Sequence, residues 1–300
     1  MNKVLVIAGP TASGKTAFSV EMAKLFGCDI ISGDSVQVYR GLDIGSGKVT
    51  EEEKQGVVHH LIDIRDPREP YSAADFQKMA RELIEQKPFS IIAGGTGLYL
   101  KSCLYDYSFR SEESRVPADP AFEAMDDESL YELLKQQDPV QAEKIHPHNR
   151  RRVMRSLTIL KRSGMRQSDI EKQQKHEMIY DVFIAGCTMD RKILYERISR
   201  RVDGMFEQGL VREVEGLIDS GCTFDDPGMQ GIGYREFRAY FNKEADLDQV
   251  REEIKKNSRH YAKRQYTWLN HQMPVHWFDV TDENERRRIT DEIREWREKV

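Results

Sequence analysis

The stretch Gly9-Pro10-Thr11-Ala12-Ser13-Gly14-Lys15-Thr16 follows the apolar run Val4-Leu5-Val6-Ile7-Ala8 and precedes a segment rich in helix-forming residues. It fits the pattern G-x-x-x-x-G-K-[ST] between a strand and a helix. Its glycines let backbone N–H groups point at one anion, and a helix that begins near Gly14 adds the positive end of its dipole. Lys15 supplies a positive charge, and the hydroxyl of Thr16 can hold Mg²⁺. These eight residues, called the phosphate loop below, predict a bound polyphosphate without saying which one.

Length and composition predict a globular protein of about two domains. The chain has 300 residues, of which 39% are hydrophobic and 32% charged. No apolar run reaches the roughly 20 residues that a transmembrane helix needs, and no signal peptide precedes the first strand. The four cysteines are far apart, which predicts reduced thiols and neither disulfides nor a zinc site. We therefore expect a cytoplasmic protein that does not bind membranes and acts as a monomer.

The order of strands and helices predicts the fold class. Strands alternate with helices in the first hundred residues, and this alternation is typical of a parallel sheet with helices on both faces. We predict an α/β fold: a P-loop NTPase-like parallel sheet flanked by helices. The predicted strands are 3–8, 28–32, 60–64, 89–94, 180–187 and 275–278, and the predicted helices outside the middle of the chain are 14–26, 72–86, 191–208, 211–219, 247–269 and 283–299.

A helical insertion is predicted in the middle of the chain. Residues 108–179 are charged and favour helix, with no good strand, and they include helix candidates at 118–137 and 149–162. We expect them to form an inserted all-helical domain, with 1–107 and 180–300 making up the catalytic core.

Two stretches without acidic residues stand out in a chain whose net charge is −5. Residues 144–166 and 255–264 each contain several lysines and arginines but no aspartate or glutamate. Such local basic runs indicate contact with a polyanion. A solvated helix face is the alternative interpretation.

Polar and glycine-rich turns follow two further predicted strands. Asp34-Ser35-Val36-Gln37 comes after the second strand, at the end where open α/β sheets bind ligands. Asp34 is a candidate Mg²⁺ ligand, a candidate general base, or a turn cap. Gly94-Gly95-Thr96-Gly97 forms a second glycine turn at the same edge of the sheet. Thr96 could bind a phosphate or nucleotide there, and a purely conformational role is the alternative.

One predicted helix carries four arginines: Arg191, Arg197, Arg200 and Arg201. Arg197 and Arg201 are four residues apart and are expected to share a face. The planar guanidinium suits phosphate because it donates two parallel hydrogen bonds. Pairing with Glu196 is the alternative.

Together these motifs resemble the tRNA dimethylallyltransferase family, the isopentenyltransferases that modify the adenosine next to the anticodon. The resemblance covers nearly the whole chain and is of the bacterial type, since the zinc-finger extension of eukaryotic members is missing. The matching blocks are GPTASGKT at 9–16, DSVQVYRGLDIGSGK at 34–48, HHLIDIRDP at 59–67, GGTGLYL at 94–100, HPHNRRRVMRSL at 146–157, YERISRRVDGMFEQGL at 195–210, GIGYRE at 231–236 and SRHYAKRQYTW at 258–268.

The resemblance implies a reaction and roles for individual residues. The polyphosphate becomes dimethylallyl diphosphate, whose diphosphate leaves as the dimethylallyl group is joined to N6 of adenosine in tRNA. Asp34 is implied as the general base, with Lys15, Arg201 and Mg²⁺ on Thr16 stabilising the leaving diphosphate. The phosphate loop and Arg197 would bind that diphosphate. The anticodon stem-loop would be gripped by the helical insertion and contacted by Asp34, Ser35, Val36, Gln37, Thr96, Arg151, Arg152, Val153, Met154, Arg155, Arg259, Lys263 and Arg264.

The chain departs from the family pattern at two places. Ser46-Gly47 stands where the family usually has Thr-Ala, and Glu123 stands near a position where some relatives carry an arginine that contacts tRNA. Three other functions fit parts of the sequence: a P-loop kinase of a small molecule that uses ATP, a prenyltransferase acting on free adenine nucleotides, and a non-catalytic, nucleotide-gated RNA-binding protein. The DSVQVYRG block and the basic insertion argue against the kinase.

Overall fold

A single parallel sheet of six strands forms the centre of the protein, in a computed structural model that describes residues 1–107, 109, 119–173 and 177–299. The strand order is β3-β2-β4-β1-β5-β6, so β1 lies between β4 and β5 and the phosphate loop leaves the sheet near its middle. The predicted α/β class is confirmed. The strands are β1 Lys3–Ala8, β2 Ile30–Ser32, β3 His59–His60, β4 Phe89–Gly94, β5 Asp181–Thr188 and β6 His276–Asp279.

Helices connect the strands and fill the middle of the chain. They are α1 Lys15–Phe26, α2 Glu51–Lys54, α3 Ala73–Glu85, α4 Gly97–Leu104, α5 Pro120–Glu123, α6 Asp127–Gln137, α7 Pro139–Glu143, α8 Arg150–Ser163, α9 Gln167–Gln173, α10 Arg191–Gln208, α11 Leu210–Asp219, α12 Phe237–Phe241, α13 Leu247–Gln272 and α14 Glu283–Glu298, with a 3₁₀ turn at Gly228–Gln230. No helix in the described ranges is both long enough and apolar enough to cross a lipid bilayer.

Both faces of the sheet are covered, as the alternating pattern predicts. Side chains of a strand point to opposite faces in turn, and in β1 Val4 and Val6 belong to one buried cluster while Leu5 and Ile7 belong to another. The first cluster takes apolar side chains from α3, α4 and α13, and the second takes them from α1 and α14. Helix α13 is therefore fixed against the same sheet that carries the phosphate loop.

The third strand is shorter than the predicted 60–64. Leu61 and Asp63 have φ values of 64° and 57°, a left-handed conformation that cannot continue a strand. The chain instead turns back, and the N–H of Ile64 donates to the carbonyl of Val38 at 2.9 Å. This turn brings the segment after β3 against the segment after β2.

The described chain divides into two units: Met1–Tyr105 with Met178–Val300, and Asp106–Glu177. The predicted boundaries lie two residues later at each end, and Ser108 is outside the described residues. Within the first unit, Tyr105 and Met178 form an antiparallel bridge and the N–H of Ile179 donates to the carbonyl of Leu104 at 2.9 Å. The segment that leaves this unit and the segment that re-enters it are therefore hydrogen-bonded side by side.

The second unit contains α5 to α9 around its own apolar core. Leu130, Leu134, Val153 and Leu157 are fully buried there. The predicted helix at 118–137 is two helices, because the side chain of Asp126 accepts the N–H of Ser129 and starts α6 afresh. The predicted start at Ala118 is outside the described residues.

Candidate active site

A cavity of about 340 Å³ lies at the carboxyl ends of the strands in the sheet-containing unit. Its size lies at the lower end of the range of small-molecule sites, and its position is where open α/β sheets bind ligands. It is lined by Thr11, Lys15 and Thr16 of the phosphate loop, by Asp34, Ser35, Val36 and Gln37 after β2, by Gly94 and Gly95 at the end of β4, by Arg201 of α10 and by Tyr261, Arg264 and Gln265 of α13. The structure thus brings together the phosphate loop, the two predicted turns and two of the predicted arginines, Arg201 and Arg264.

The phosphate loop keeps hydrogen-bonding capacity that its own fold does not use. Helix α1 begins after Gly14, whose φ is 87°, and no side chain caps it. Its first N–H groups, at the positive end of the helix dipole, therefore face no internal acceptor. The hydroxyl of Ser13 is buried and has no partner within the described part of the chain. These groups suit an anion at the start of α1.

Lys15 is held against the loop that an anion would occupy. Its Nζ donates to the carbonyl of Pro10 at 2.5 Å. Burial, together with the nearby Arg201, lowers the pKa of Lys15 to about 8, while Cys187 and Asp34 oppose the shift. An anion in the cavity would stabilise the protonated amine.

Asp34 uses one carboxylate oxygen for structure and leaves the other available. Its Oδ1 accepts the N–H groups of Val36 at 2.8 Å and Gln37 at 3.1 Å. Oδ2 makes no hydrogen bond with any described residue. The cap and the functional interpretation of Asp34 are therefore compatible, because each needs a different oxygen.

Arg201 bridges the phosphate loop and the loop that follows the Asp34 turn. Its Nη1 donates to the hydroxyl of Thr11 at 3.4 Å, and its Nη2 donates to the carbonyl of Gly47 at 3.1 Å. The same carbonyl accepts Nε2 of Gln37 at 3.2 Å. Burial lowers the pKa of Arg201, and Asp34 opposes that shift. Arg201 thus brings a positive charge to the cavity between two loops.

The other arginines of α10 do not reach the cavity. Its lining positions on this helix are Ile198, Arg201, Val202 and Met205, which follow the i, i+3, i+4, i+7 spacing of one helix face. Arg197 lies at the edge of that face and is exposed, so its predicted place beside the diphosphate is not supported. Arg191 instead donates to the hydroxyl of Tyr195 at 3.1 Å.

The loop that carries Gly47 is anchored by two residues that sequence reasoning did not single out. The carboxylate of Glu213 accepts the N–H groups of Asp43, Ile44 and Gly45 at 2.7–3.1 Å. It also accepts the hydroxyl of the fully buried Tyr234 at 2.7 Å. Tyr234 lies in the GIGYRE block at 231–236, so the family resemblance was the signal for it, whereas Glu213 lies outside the matching blocks. Neither residue is among those that line the cavity.

Thr96 is placed beside the cavity and does not line it. It precedes α4 and is half-buried, and the neighbouring Tyr261 does line the cavity. The contact of Thr96 with tRNA stays a prediction.

Helix α13 carries three predicted RNA contacts, of which one reaches the cavity. Arg264 lines it, with its guanidinium 5.7 Å from the ring centroid of Tyr261. Arg259 donates to the hydroxyl of Ser199 at 3.3 Å, and Lys263 is exposed. The neighbouring Gln265 was missed: it is only 7% exposed and contacts both glycine turns.

In the helical unit, the predicted RNA contacts of α8 fall into two groups: the basic residues are exposed and the two apolar ones are buried. Arg151, Arg152 and Arg155 are exposed on α8 and have no ion pair within the described ranges. Val153 and Met154 are buried in the core of this unit, so their assignment as RNA contacts is wrong. The helix period places them on its inner face with Leu157, and the run of arginines conceals this spacing.

Part of the first basic stretch has a structural role. Lys144 pairs with Glu171 at 2.8 Å, Arg150 with Asp127 at 2.8 Å, and Lys161 with Asp119 at 2.6 Å. The arginines without an acidic partner, Arg151, Arg152 and Arg155, are the better candidates for contact with a polyanion.

The parallel sheet, the glycine loop after its first strand and the cavity at the strand ends define the class of P-loop-like α/β proteins. Within that class, a family model described as IPP transferase matches residues 37–272. A relative from Anoxybacillus flavithermus named tRNA dimethylallyltransferase is 47% identical over 295 residues, which is 97% of this chain and 94% of the relative. The chain therefore belongs to the IPP transferase family and is a transferase.

Solved structures agree with this assignment. The full-length tRNA isopentenylpyrophosphate transferase of Bacillus halodurans is 40% identical with a TM-score of 0.74, covering 99% of this chain and 97% of that one. A eukaryotic dimethylallyltransferase described as acting on tRNA is 28% identical with a TM-score of 0.83, covering 98% of this chain and 80% of that one.

Proposed function

We propose that this chain transfers the dimethylallyl group of dimethylallyl diphosphate to N6 of the adenosine next to the anticodon of tRNA, releasing diphosphate. One observation carries the proposal. Lys15, Arg201 and the unengaged oxygen of Asp34 converge on one cavity beside the phosphate loop, in a chain whose relatives are named tRNA dimethylallyltransferase. The cavity thus holds groups for an anionic leaving group and a base for the incoming amine.

The departing diphosphate is held by positive and hydrogen-bonding groups on several sides. The N–H groups at the start of α1 and the amine of Lys15 act from the phosphate loop, and Arg201 acts from α10. Charge on the bridging oxygen grows as the carbon–oxygen bond breaks, so donors placed in advance lower the barrier. Removing one such donor typically costs about 10²–10³-fold in rate.

The described residues can hold a magnesium ion only together with oxygen atoms of the substrate diphosphate. Among the described residues no group of three or more histidine, cysteine or acidic side chains could hold a metal by itself. The hydroxyl of Thr16 lines the cavity, and Mg²⁺ favours oxygen ligands that include substrate phosphates. We infer that Thr16 and the diphosphate would hold the ion together. When bound, it would neutralise charge on the diphosphate.

Asp34 removes the proton that the reaction releases. The lone pair of adenine N6 forms the new bond to C1 of the dimethylallyl group while the bond from C1 to the diphosphate oxygen breaks. The amine then carries an excess proton, which the available oxygen of Asp34 accepts. The two backbone N–H groups that bind the other oxygen fix the orientation of this carboxylate.

An apolar wall suits the five-carbon tail. Val36, Ile198, Val202, Met205, Ile232 and Ile254 line the same cavity. We infer that the tail lies along this wall with the diphosphate on the phosphate loop, and that water is kept from the reacting carbon.

RNA is held by the basic surfaces of each unit. Arg151, Arg152 and Arg155 of α8 and Arg259, Lys263 and Arg264 of α13 are proposed to contact backbone phosphates of the anticodon arm. The adenosine has to leave the loop stack to enter a closed site. With tRNA as the substrate, we place the reaction in the cytoplasm.

The test is a product assay with a choice of donor. The protein is incubated with Mg²⁺, tRNA lacking the modification, and either dimethylallyl diphosphate or ATP, and digested nucleosides are measured by mass spectrometry. Isopentenyladenosine formed only with dimethylallyl diphosphate supports the proposal. Absence of isopentenyladenosine from tRNA when dimethylallyl diphosphate is supplied, or prenylation of free adenine nucleotides but not of tRNA, contradicts it.

A further inference from the structure

Gln265 joins the long helix α13 to both glycine turns at the cavity. Its Oε1 accepts the N–H of Thr11 in the phosphate loop at 3.0 Å, and its Nε2 donates to the carbonyl of Gly95 at 3.0 Å. The side chain is 7% exposed, its bond to Gly95 is buried, and its bond to Thr11 is partly buried at the wall of the cavity. A buried amide with donor and acceptor both satisfied fixes its partners firmly, because losing either bond leaves a buried polar group unpaired.

The contact requires the glycine that it meets. A β-carbon on Gly95 would overlap Nε2 of Gln265 and come within 2.8 Å of the carbonyl oxygen of Gly9. One turn further along α13, a β-carbon on Gly97 would overlap the ring of Trp268. Helix α13 is therefore fitted closely onto the turn after β4, and its register relative to the phosphate loop is fixed.

Thr11 connects Gln265 to Arg201, one of the arginines that line the cavity. Its N–H is bound by Gln265, while its hydroxyl accepts Nη1 of Arg201 at 3.4 Å. Since the N–H of Thr11 already has a partner, it is not among the loop donors that hold the diphosphate. The orientation of Thr11 instead determines where its hydroxyl meets the guanidinium.

We infer that Gln265 is a positioning residue for the leaving-group site: its amide fixes the Thr11 backbone and, through the Thr11 hydroxyl, the guanidinium of Arg201. The inference rests on the proposed function for its catalytic meaning. Its geometric content, that Gln265 sets the affinity of the loop for diphosphate, is independent of the group transferred.

Two substitutions at Gln265 test this. Gln265→Met keeps the volume and removes both hydrogen bonds. We expect about a 10- to 100-fold loss in kcat/KM for the prenyl donor, since small misplacements at a reacting centre have effects of this size. The dissociation constant of inorganic diphosphate with Mg²⁺, measured by calorimetry, should rise as well, whereas tRNA affinity should stay within about twofold.

Gln265→Glu adds a signature that a merely structural role would not give. A protonated carboxyl reproduces the pattern of the amide, since its O–H donates to Gly95 and its carbonyl accepts from Thr11. The ionised form has no donor for Gly95. Burial raises the pKa of a carboxyl group, so the activity of this variant relative to wild type should recover as the pH falls from about 8 to about 6.

Titrations that the new carboxyl does not alter divide out of that ratio. Lys15, Asp34, Arg201, Arg235, Tyr261 and Arg264 line the cavity in both proteins. His59 lines it too, with a pKa lowered by burial, and it also is common to both. Gln272→Glu, an identical change at an exposed position of the same helix, is the matched control and should give a flat ratio.

Three outcomes would overturn the inference: a flat pH ratio for Gln265→Glu, unchanged diphosphate affinity in Gln265→Met, or the same response in Gln272→Glu. The gain in melting temperature on adding diphosphate is measured for each variant, because it reports binding even where basal stability falls. If the wild type binds diphosphate but prenylates no tRNA, the proposed function fails and the diphosphate affinities still decide the role of Gln265.

Discussion

The guanidinium of Arg201 lies directly over Gly47 and occupies the space that a β-carbon at that position would need. Nη2 donates to the carbonyl of Gly47 at 3.1 Å, and the φ of Gly47 is 57°. The residue at 47 therefore sets how far the arginine can approach this loop.

Gly47→Ala should move Arg201 without removing it. The displaced atoms are the far end of a flexible side chain, so we expect a loss of at most about tenfold in kcat/KM for the prenyl donor, well below the 10²–10³-fold of Arg201→Ala. In an Arg201→Ala background, Gly47→Ala should have no further effect on kcat/KM, because contacting residues are not additive. Steady-state kinetics of the four proteins measure the coupling.

The strain of a left-handed alanine has its own control. Gly56 has a φ of 81° and nothing within 4 Å of the place that a β-carbon would take, so Gly56→Ala carries the same cost of about 1–2 kcal/mol without touching an arginine. Equal kinetic effects of the two alanine variants would contradict the role given to Gly47.

Lys15→Met should stabilise the ligand-free protein while it abolishes most turnover. Burial lowers the pKa of Lys15 from 10.5 to about 8, so the unfolded chain binds more protons between these values and stability rises with pH across that window. Below about pH 8 the full cost is present. Removing the amine should therefore raise stability at pH 7 by at most about 3 kcal/mol, and by less where water screens the charge.

Melting curves at several pH values check this sign. The stability difference between Lys15→Met and wild type should shrink as the pH rises from 8 towards 10.5. In parallel, diphosphate binding by the wild type should weaken above about pH 8 as the amine loses its proton, and the variant should lack this dependence. A difference that grows with pH would refute the assignment.

Asp34→Asn should separate chemistry from binding. The amide oxygen can still accept the N–H groups of Val36 and Gln37, so the turn is kept while the base is lost. We expect kcat to fall about 10²–10⁴-fold, with tRNA affinity within about twofold of wild type. Single-turnover kinetics and filter binding give the two numbers. A loss of tRNA affinity as large as the loss of rate would sink the catalytic role.

Arg151→Gln with Arg155→Gln should weaken tRNA binding through salt-dependent interactions alone. These side chains lie four residues apart on α8 and have no ion pair within the described ranges. Each arginine that binds an RNA phosphate contributes about 1 to the slope of log affinity against log salt, so the double variant should reduce that slope by about 2. Affinity for dimethylallyl diphosphate should not change. Lys144→Gln, whose amine is already paired with Glu171, is the control and should leave the slope near that of wild type.

Local patterns in the sequence predict the sheet and one side of the cavity. The run 4–8, the phosphate loop and the turn at Asp34 can each be recognised from a few neighbouring residues. Because open α/β sheets bind ligands at the carboxyl ends of their strands, these parts are expected to lie together. The period of α10 likewise contains the choice of Arg201 over Arg197, although the sequence alone does not say which face meets the cavity.

The contacts that complete the site join distant parts of the chain. Gln265 meets Thr11 and Gly95, and Glu213 meets the backbone of 43–45, across long sequence separations. No local pattern predicts that a glutamine is buried and binds backbone groups, because every residue type offers a backbone carbonyl and nearly every type a backbone N–H. The error at Val153 and Met154 has another cause: arginines dominate the charge of this stretch, whereas the helix period decides which of its side chains are buried.

The bridge between Tyr105 and Met178 makes the helical unit removable in principle. Antiparallel neighbours can be joined by a turn of about two residues, so a shortened chain could close the core without altering the order or register of its strands. Such a chain would keep the phosphate loop and the cavity and would lack the α8 arginines. The topology thus confines these arginines to a single internal segment, which could be exchanged without changing the strands of the sheet.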